Sequence, residues 1–216
     1  MITPTHAVIN AVVARRSSDR TAISFRSRVA FVVGGVAPDL ALYVLSLAAV
    51  VYYPVIDGVS VGDAHERAMY DLYFNSPWWL AGHNLLHAPI ILLALIAGAS
   101  LLKAPWRRRV RFFAVGALLH SVIDILVHHD DGPLVFCPVS WSIRFVSPVS
   151  YWDPDHFGWF LRPIDLAITV AGAVWLIGWW RSRRSDSFEA DGFFESSRLE
   201  SEVDQHPRSE VVDDPA

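Results

Sequence analysis

Residues 110–131, VRFFAVGALLHSVIDILVHHDD, decide how the chain is to be read. From Val110 to Val127 the stretch is mostly apolar and about as long as a helix must be to cross the hydrocarbon core of a bilayer. Yet it carries His120, Asp124 and His128 at intervals of four. On a helix those three fall on successive turns of one stripe, so their imidazole and carboxylate groups point one way. Three more apolar blocks flank it, Ala30 to Val55, Leu86 to Leu102 and Ile164 to Trp180, within a chain that is 53% hydrophobic with a mean hydropathy of +0.32. Such composition is high for a soluble globule. The expectation is an all-α integral membrane helical bundle of about four transmembrane helices, with a short N-terminal helix over PTHAVINAVVA.

The net charge of −4 conceals a division. Residues 185–216 hold ten acids against Arg198 and Arg208, are polar, and lack periodic apolar residues, which predicts an acidic, disordered tail. Residues 1–184 form the expected membrane-embedded domain. Thirteen Lys and Arg residues lie before the first block, between the second and third or, as Arg111, at the start of the third, and after the fourth; only Arg67, Arg144 and Arg162 lie on the opposite side. By the positive-inside rule both termini, the tail included, are cytoplasmic. The arginines at 15 and 16 follow the first apolar run, the reverse of a cleavable signal peptide, so residues 1–16 are read as retained. A single cysteine, Cys137, excludes an intrachain disulfide and a cysteine-built metal site. No glycine-rich phosphate loop is present, nucleic acid is not an expected partner, and Gly34-Gly35 reads as close helix packing.

Inside the apolar blocks, ionisable residues mark function by default because of what they cost there. Asp39 lies eleven residues after Arg28, His120 nine after Arg111, and His6 nine before Arg15. At 1.5 Å per residue, Asp39, His6 and His120 sit about 13–16 Å from the cytoplasmic charges, and Asp124 about 19 Å. His83 and His87 repeat the spacing of four that helical metal-binding pairs use. They come out higher, roughly 24–30 Å above Lys103, unless that span tilts or frays. Each residue also has a plainer reading. Asp39 after Pro38 can cap a broken helix, His120 and Asp124 can form a buried hydrogen-bonded pair, and His129, Asp130 and Asp131 can be a solvated turn. His65, His156 and His206 read as surface residues.

Taken together, an early THA, the GVAPD of residues 35–39, paired histidines opening a block, and His-x3-Asp-x3-His running into Asp131-Gly132-Pro133-Leu134 form a combination more specific than any piece. Over about residues 3–135 the chain resembles bacterial inner-membrane proteins grouped as metal-dependent hydrolases, themselves placed near the zinc-dependent phospholipase C group. The resemblance implies a metal site drawn from His6, Asp39, His83, His87, His120 and Asp124, with His128 beside them. Related sequences commonly carry a second acid two residues after the first, where this one has Ala41. Imidazole and carboxylate ligands without thiolate suit a divalent ion, zinc above all, with manganese or iron also fitting. His129, Asp130 or Asp131 would act as general base or complete the coordination. A site near the outer face would meet membrane lipid, so hydrolysis of a lipid-like phosphodiester or ester is the expected reaction, in the bacterial cytoplasmic membrane. Two other classes fit the same residues: a metal or proton transporter, and a non-catalytic interaction protein with a structural His/Asp network.

Overall fold

The computed structural model describes the backbone of residues 1–20 and 23–204 and the side chains of 1–17 and 23–183. The elements are α1 (Thr3–Arg20), α2 (Phe25–Gly34), α3 (Ala37–Ile56), α4 (Val61–Glu66), a π-helical turn (Arg67–Leu72), α5 (Tyr73–Asn75), α6 (Pro77–Asn84), α7 (Pro89–Gly98), α8 (Trp106–Val127) and α9 (Gly158–Asp204). Among the described residues no strand forms beyond one isolated bridge, Leu134 to Arg144, so the all-α expectation holds. Among the described residues three helices are long and apolar enough to cross a membrane: α3, α8 and the Gly158–Arg183 part of α9. A fourth span exists only if α6 and α7, bent by 49° at their break, count as one. The expectation of about four spans is thereby narrowed to three or four.

Proline chemistry explains both interruptions. Pro38 has no N–H and its ring would collide with the carbonyl of Gly34, so α2 stops at Gly34 and α3 restarts at Ala37. The first apolar block is therefore two helices. Likewise Ala88, ahead of Pro89, is held extended at φ −70, ψ 119, and α6 cannot run into α7. Unbroken helices through 83–102 would have kept His87 well above His120; the break brings it down.

Met1–Ala173 forms one compact unit and Val174–Ala216 another; every candidate site residue lies in the first. The tail expected to be disordered, 185–216, is helical in its backbone as far as Asp204. Its side chains, and residues 205–216 with His206, lie outside the described residues.

In the first unit α2 and α8 pack at backbone distance. A Cβ on Gly34 would strike the Phe113 carbonyl, and one on Gly116 would strike the Phe31 carbonyl. Asn10 of α1 donates Nδ2 to Phe31 O at 3.0 Å and to Gly116 O at 3.1 Å, joining three helices in the buried layer beneath the site. The buried stripe of α8 runs Ala114, Gly116, Ala117, His120, Ser121, Asp124: small residues give way to ligand-type ones along one face. By contrast α3 turns Val44 and Leu47 outward at 66% and 63% exposure, as a lipid-facing helix does.

Candidate metal centre

Four side chains converge above that layer: Asp39 near the start of α3, His87 in the turn after α6, and His120 and Asp124 on α8. Their ligand atoms all lie within 4.8 Å of one another. His87 Nε2 is 3.1 Å from His120 Nε2, 3.5 Å from Asp39 Oδ1 and 3.7 Å from Asp124 Oδ2. His120 Nε2 is 3.4 Å from Asp39 Oδ1 and 3.1 Å from Asp124 Oδ2. Ligands about 2.0–2.1 Å from a tetrahedral ion stand about 3.3 Å apart, so these five spacings are of the size a small divalent ion needs.

Both imidazoles are oriented by backbone. His120 Nδ1 donates to Gly35 O at 2.8 Å and His87 Nδ1 to His83 O at 2.9 Å. A carbonyl can only accept, so the Nδ1 atoms carry hydrogen and the Nε2 atoms face the carboxylates and each other. The His87 carbonyl in turn accepts from Ser121 Oγ. The two acids have a matching arrangement, each offering one oxygen to the cluster while a donor holds the other. Asp39 Oδ2 accepts from Thr3 Oγ1 at 2.5 Å, and Asp124 Oδ1 lies 3.0 Å from His6 Nε2. Asp39 is also the third residue of α3, where the helix dipole favours an anion. Two carboxylate oxygens and two imidazole nitrogens together are donors of the kind a divalent ion takes. This buried Asp/His/His/Asp group can hold such an ion.

Of the residues expected as ligands, Asp39, His87, His120 and Asp124 meet. His6 packs beside them, its ring stacked on His120 with centroids 3.6 Å apart, and its Nδ1 is buried with no hydrogen-bond partner. His128 Nε2 is 3.9 Å from Asp124 Oδ1, and the Met1 nitrogen lies 3.0 Å from the same oxygen. His83 stands outside the four: its Nε2 meets Tyr73 Oη at 3.0 Å, and Tyr73 donates to Asp131 O at 2.6 Å. Burial pushes the Tyr73 phenol well above its usual range, so it remains a donor.

The three residues expected to act as base separate. Asp131 accepts from His128 Nδ1 at 2.9 Å, placing a His–Asp pair next to Asp124. His129 instead donates Nδ1 to Ser147 O at 2.6 Å and stacks on His156 at 3.6 Å, away from the cluster. Asp130 is exposed. His156 packs within the connection between α8 and α9, where its Nδ1 bonds Asp153 and holds that carboxyl below the usual range, with the Asp155 N–H adding to the effect.

Thr3, Tyr43 and Tyr73 were not legible as site residues. Hydroxyls are common, and no spacing linked them to Asp39 or His83. Comparison of the chain with descriptions of known families, with curated proteins and with solved structures gives no match.

Proposed function

We propose that this protein is a membrane-bound metal-dependent hydrolase acting on a lipid-like phosphodiester or ester. One observation carries the reading: two imidazole nitrogens, oriented by backbone carbonyls, face two carboxylate oxygens at 3.1–3.7 Å in a buried site. The resemblance of residues 3–135 to bacterial metal-dependent hydrolases supports it, as do the apolar helices. Asp39, His87, His120 and Asp124 hold the ion, zinc fitting the donor set best and manganese or iron next. An ion there supplies Lewis acidity toward a phosphoryl or acyl oxygen and makes water acidic enough to react near neutral pH. His128, its Nδ1 bound to Asp131 and its Nε2 3.3 Å from the Met1 nitrogen, becomes a base at Nε2 once that nitrogen is displaced, with Asp131 stabilising the resulting imidazolium, the base-and-orienter arrangement of hydrolases. The setting is a bacterial cytoplasmic membrane with both termini inside, for which the basic-residue asymmetry argues.

A second reading has its own support. Four protein ligands fill a tetrahedral zinc shell, the usual condition of a structural rather than a catalytic ion. Elemental analysis and turnover separate the two. Protein purified without chelator should carry about one divalent ion per chain and cleave bis(p-nitrophenyl) phosphate or a p-nitrophenyl ester, with activity lost on chelation and restored by zinc or manganese. Bound ion without turnover leaves the structural role; no ion, and no gain in stability on adding one, removes both.

A further inference from the structure

Asp39 is the most accessible of the four ligand residues, with 16% side-chain exposure against 9% for Asp124 and 1% or less for the two histidines. What lies beside it is α1 and the outward face of α3. Thr3 Oγ1 donates to Asp39 Oδ2 at 2.5 Å and lies 2.8 Å from Tyr43 Oη. A carboxylate accepts and a threonine hydroxyl has one hydrogen, so Tyr43 must be the donor to Thr3. Both hydroxyl protons therefore run inward, and the phenol oxygen keeps only its acceptor lone pairs for anything outside. Tyr43 is 56% exposed, on the same apolar face as Leu40, Val44 and Leu47, all more than half exposed. That face belongs to one of the candidate spans, only 6% of whose most apolar window is buried within the protein.

We infer that the metal site is approached laterally from the lipid along α3, and that Tyr43 positions the substrate by accepting a hydrogen bond from its headgroup. The substrate class is thus a membrane lipid whose headgroup bears an N–H or O–H donor, such as an ethanolamine or glycerol lipid. A choline headgroup has no such hydrogen. The inference rests on the hydrolase reading for what the ion does, but its recognition step is separable from turnover. It also moves the opening of the site from the outer face, where the sequence suggested it, to the flank of a helix.

The test uses the metal-loaded full chain. After incubation in vesicles of equimolar phosphatidylethanolamine and phosphatidylcholine, lipid retained by the extracted protein is quantified by mass spectrometry. Retention should favour ethanolamine lipid by about tenfold, the worth of one partly buried hydrogen bond, and Tyr43→Phe should bring the ratio to about one with metal content unchanged. Equal retention by the wild type, or a preference that survives Tyr43→Phe, overturns the role of Tyr43. Independently, bimane attached to Tyr43→Cys should be quenched by brominated lipid and not by aqueous iodide. Quenching by iodide alone, or by neither because a second copy covers the face, overturns lateral access. Loss of hydrolysis with retention and quenching intact would count against the hydrolase reading alone.

Discussion

Asp124 divides its two oxygens between two tasks, Oδ2 toward the histidines of the cluster and Oδ1 toward His6. Asp124→Asn keeps the shape and one carbonyl oxygen but removes the anion. If the group coordinates metal, affinity should fall more than about 100-fold while the protein still inserts and purifies folded; outer partners alone are worth about 10–100-fold, so Thr3→Val should cost that much by loosening Asp39. Titration of the apo-protein with zinc, read alongside melting temperature, checks both. A protein whose melting temperature changes with Asp124→Asn but which binds no stoichiometric ion in either form would instead hold a structural hydrogen-bond pair. Tyr73 offers a complementary case outside the cluster. Tyr73→Phe leaves His83 Nε2 and the Asp131 carbonyl without their partner and should cost about 1–3 kcal/mol in thermal unfolding. The fold raises the pKa of this phenol, so its contribution is fully present below its ordinary value of 10.0 and is lost as pH rises past that point. The Tyr73→Phe deficit should accordingly be flat across neutral pH.

Helix interruptions, more than helix lengths, built the site. Periodicity and hydropathy made the stripe of α8 legible, because His120 and Asp124 sit in one unbroken helix whose geometry fixes their relation. They did not give the position of His87, since a rise of 1.5 Å per residue applies only within a helix and the chain bends by 49° there. Pro89 and Pro38 were the available signals. Reading each as a boundary forbids continuous spans but does not supply the angle that follows. The matched depth of His6 and His120 was legible because each lies in the same helix as the arginine it was counted from, whereas Asp39 was counted from Arg28 across the break between α2 and α3. Close packing of α2 on α8 also follows from sequence at Gly34, and its energetic test is direct. Gly116→Ala forces a methyl group into the Phe31 carbonyl, where backbone must shift, and should destabilise by about 1–3 kcal/mol. Gly98→Ala, with nothing within 4 Å of the added carbon, is the control and should be neutral or slightly stabilising. Equal effects at the two positions in detergent unfolding would show that the α2–α8 contact is looser than described.

At the scale of the whole molecule the proposed orientation rests on the distribution of charge. Thirteen basic residues cluster at the start of the chain, between the second and third apolar blocks or, as Arg111, at the start of the third, and after the fourth, against three in the connections between. Each charge kept on the cytoplasmic side avoids translocation, and the bias is strongest in short loops close to span ends, where Lys103, Arg107, Arg108 and Arg109 lie. A chain with an odd number of crossings would put its two basic ends on opposite sides, which the rule disfavours. On the proposed orientation, α6 and α7 would act together as one broken span, the four-crossing alternative of the three or four that the helices allow. Broken helices at membrane depth are tolerated where the freed backbone groups find partners inside the protein. Here the His83 carbonyl receives His87 Nδ1 and the His87 carbonyl receives Ser121, so the break is satisfied by the site residues themselves. Reporter fusions after Arg109 and after Arg184 should be cytoplasmic, and one near Gly62 exported. Were α6–α7 to re-enter and leave on the same side, the fusion after Arg109 would report the outer face while the one near Gly62 did so too. That result would overturn the four-crossing topology without touching the cluster, because Asp39, His87, His120 and Asp124 meet whichever way the bundle is inserted.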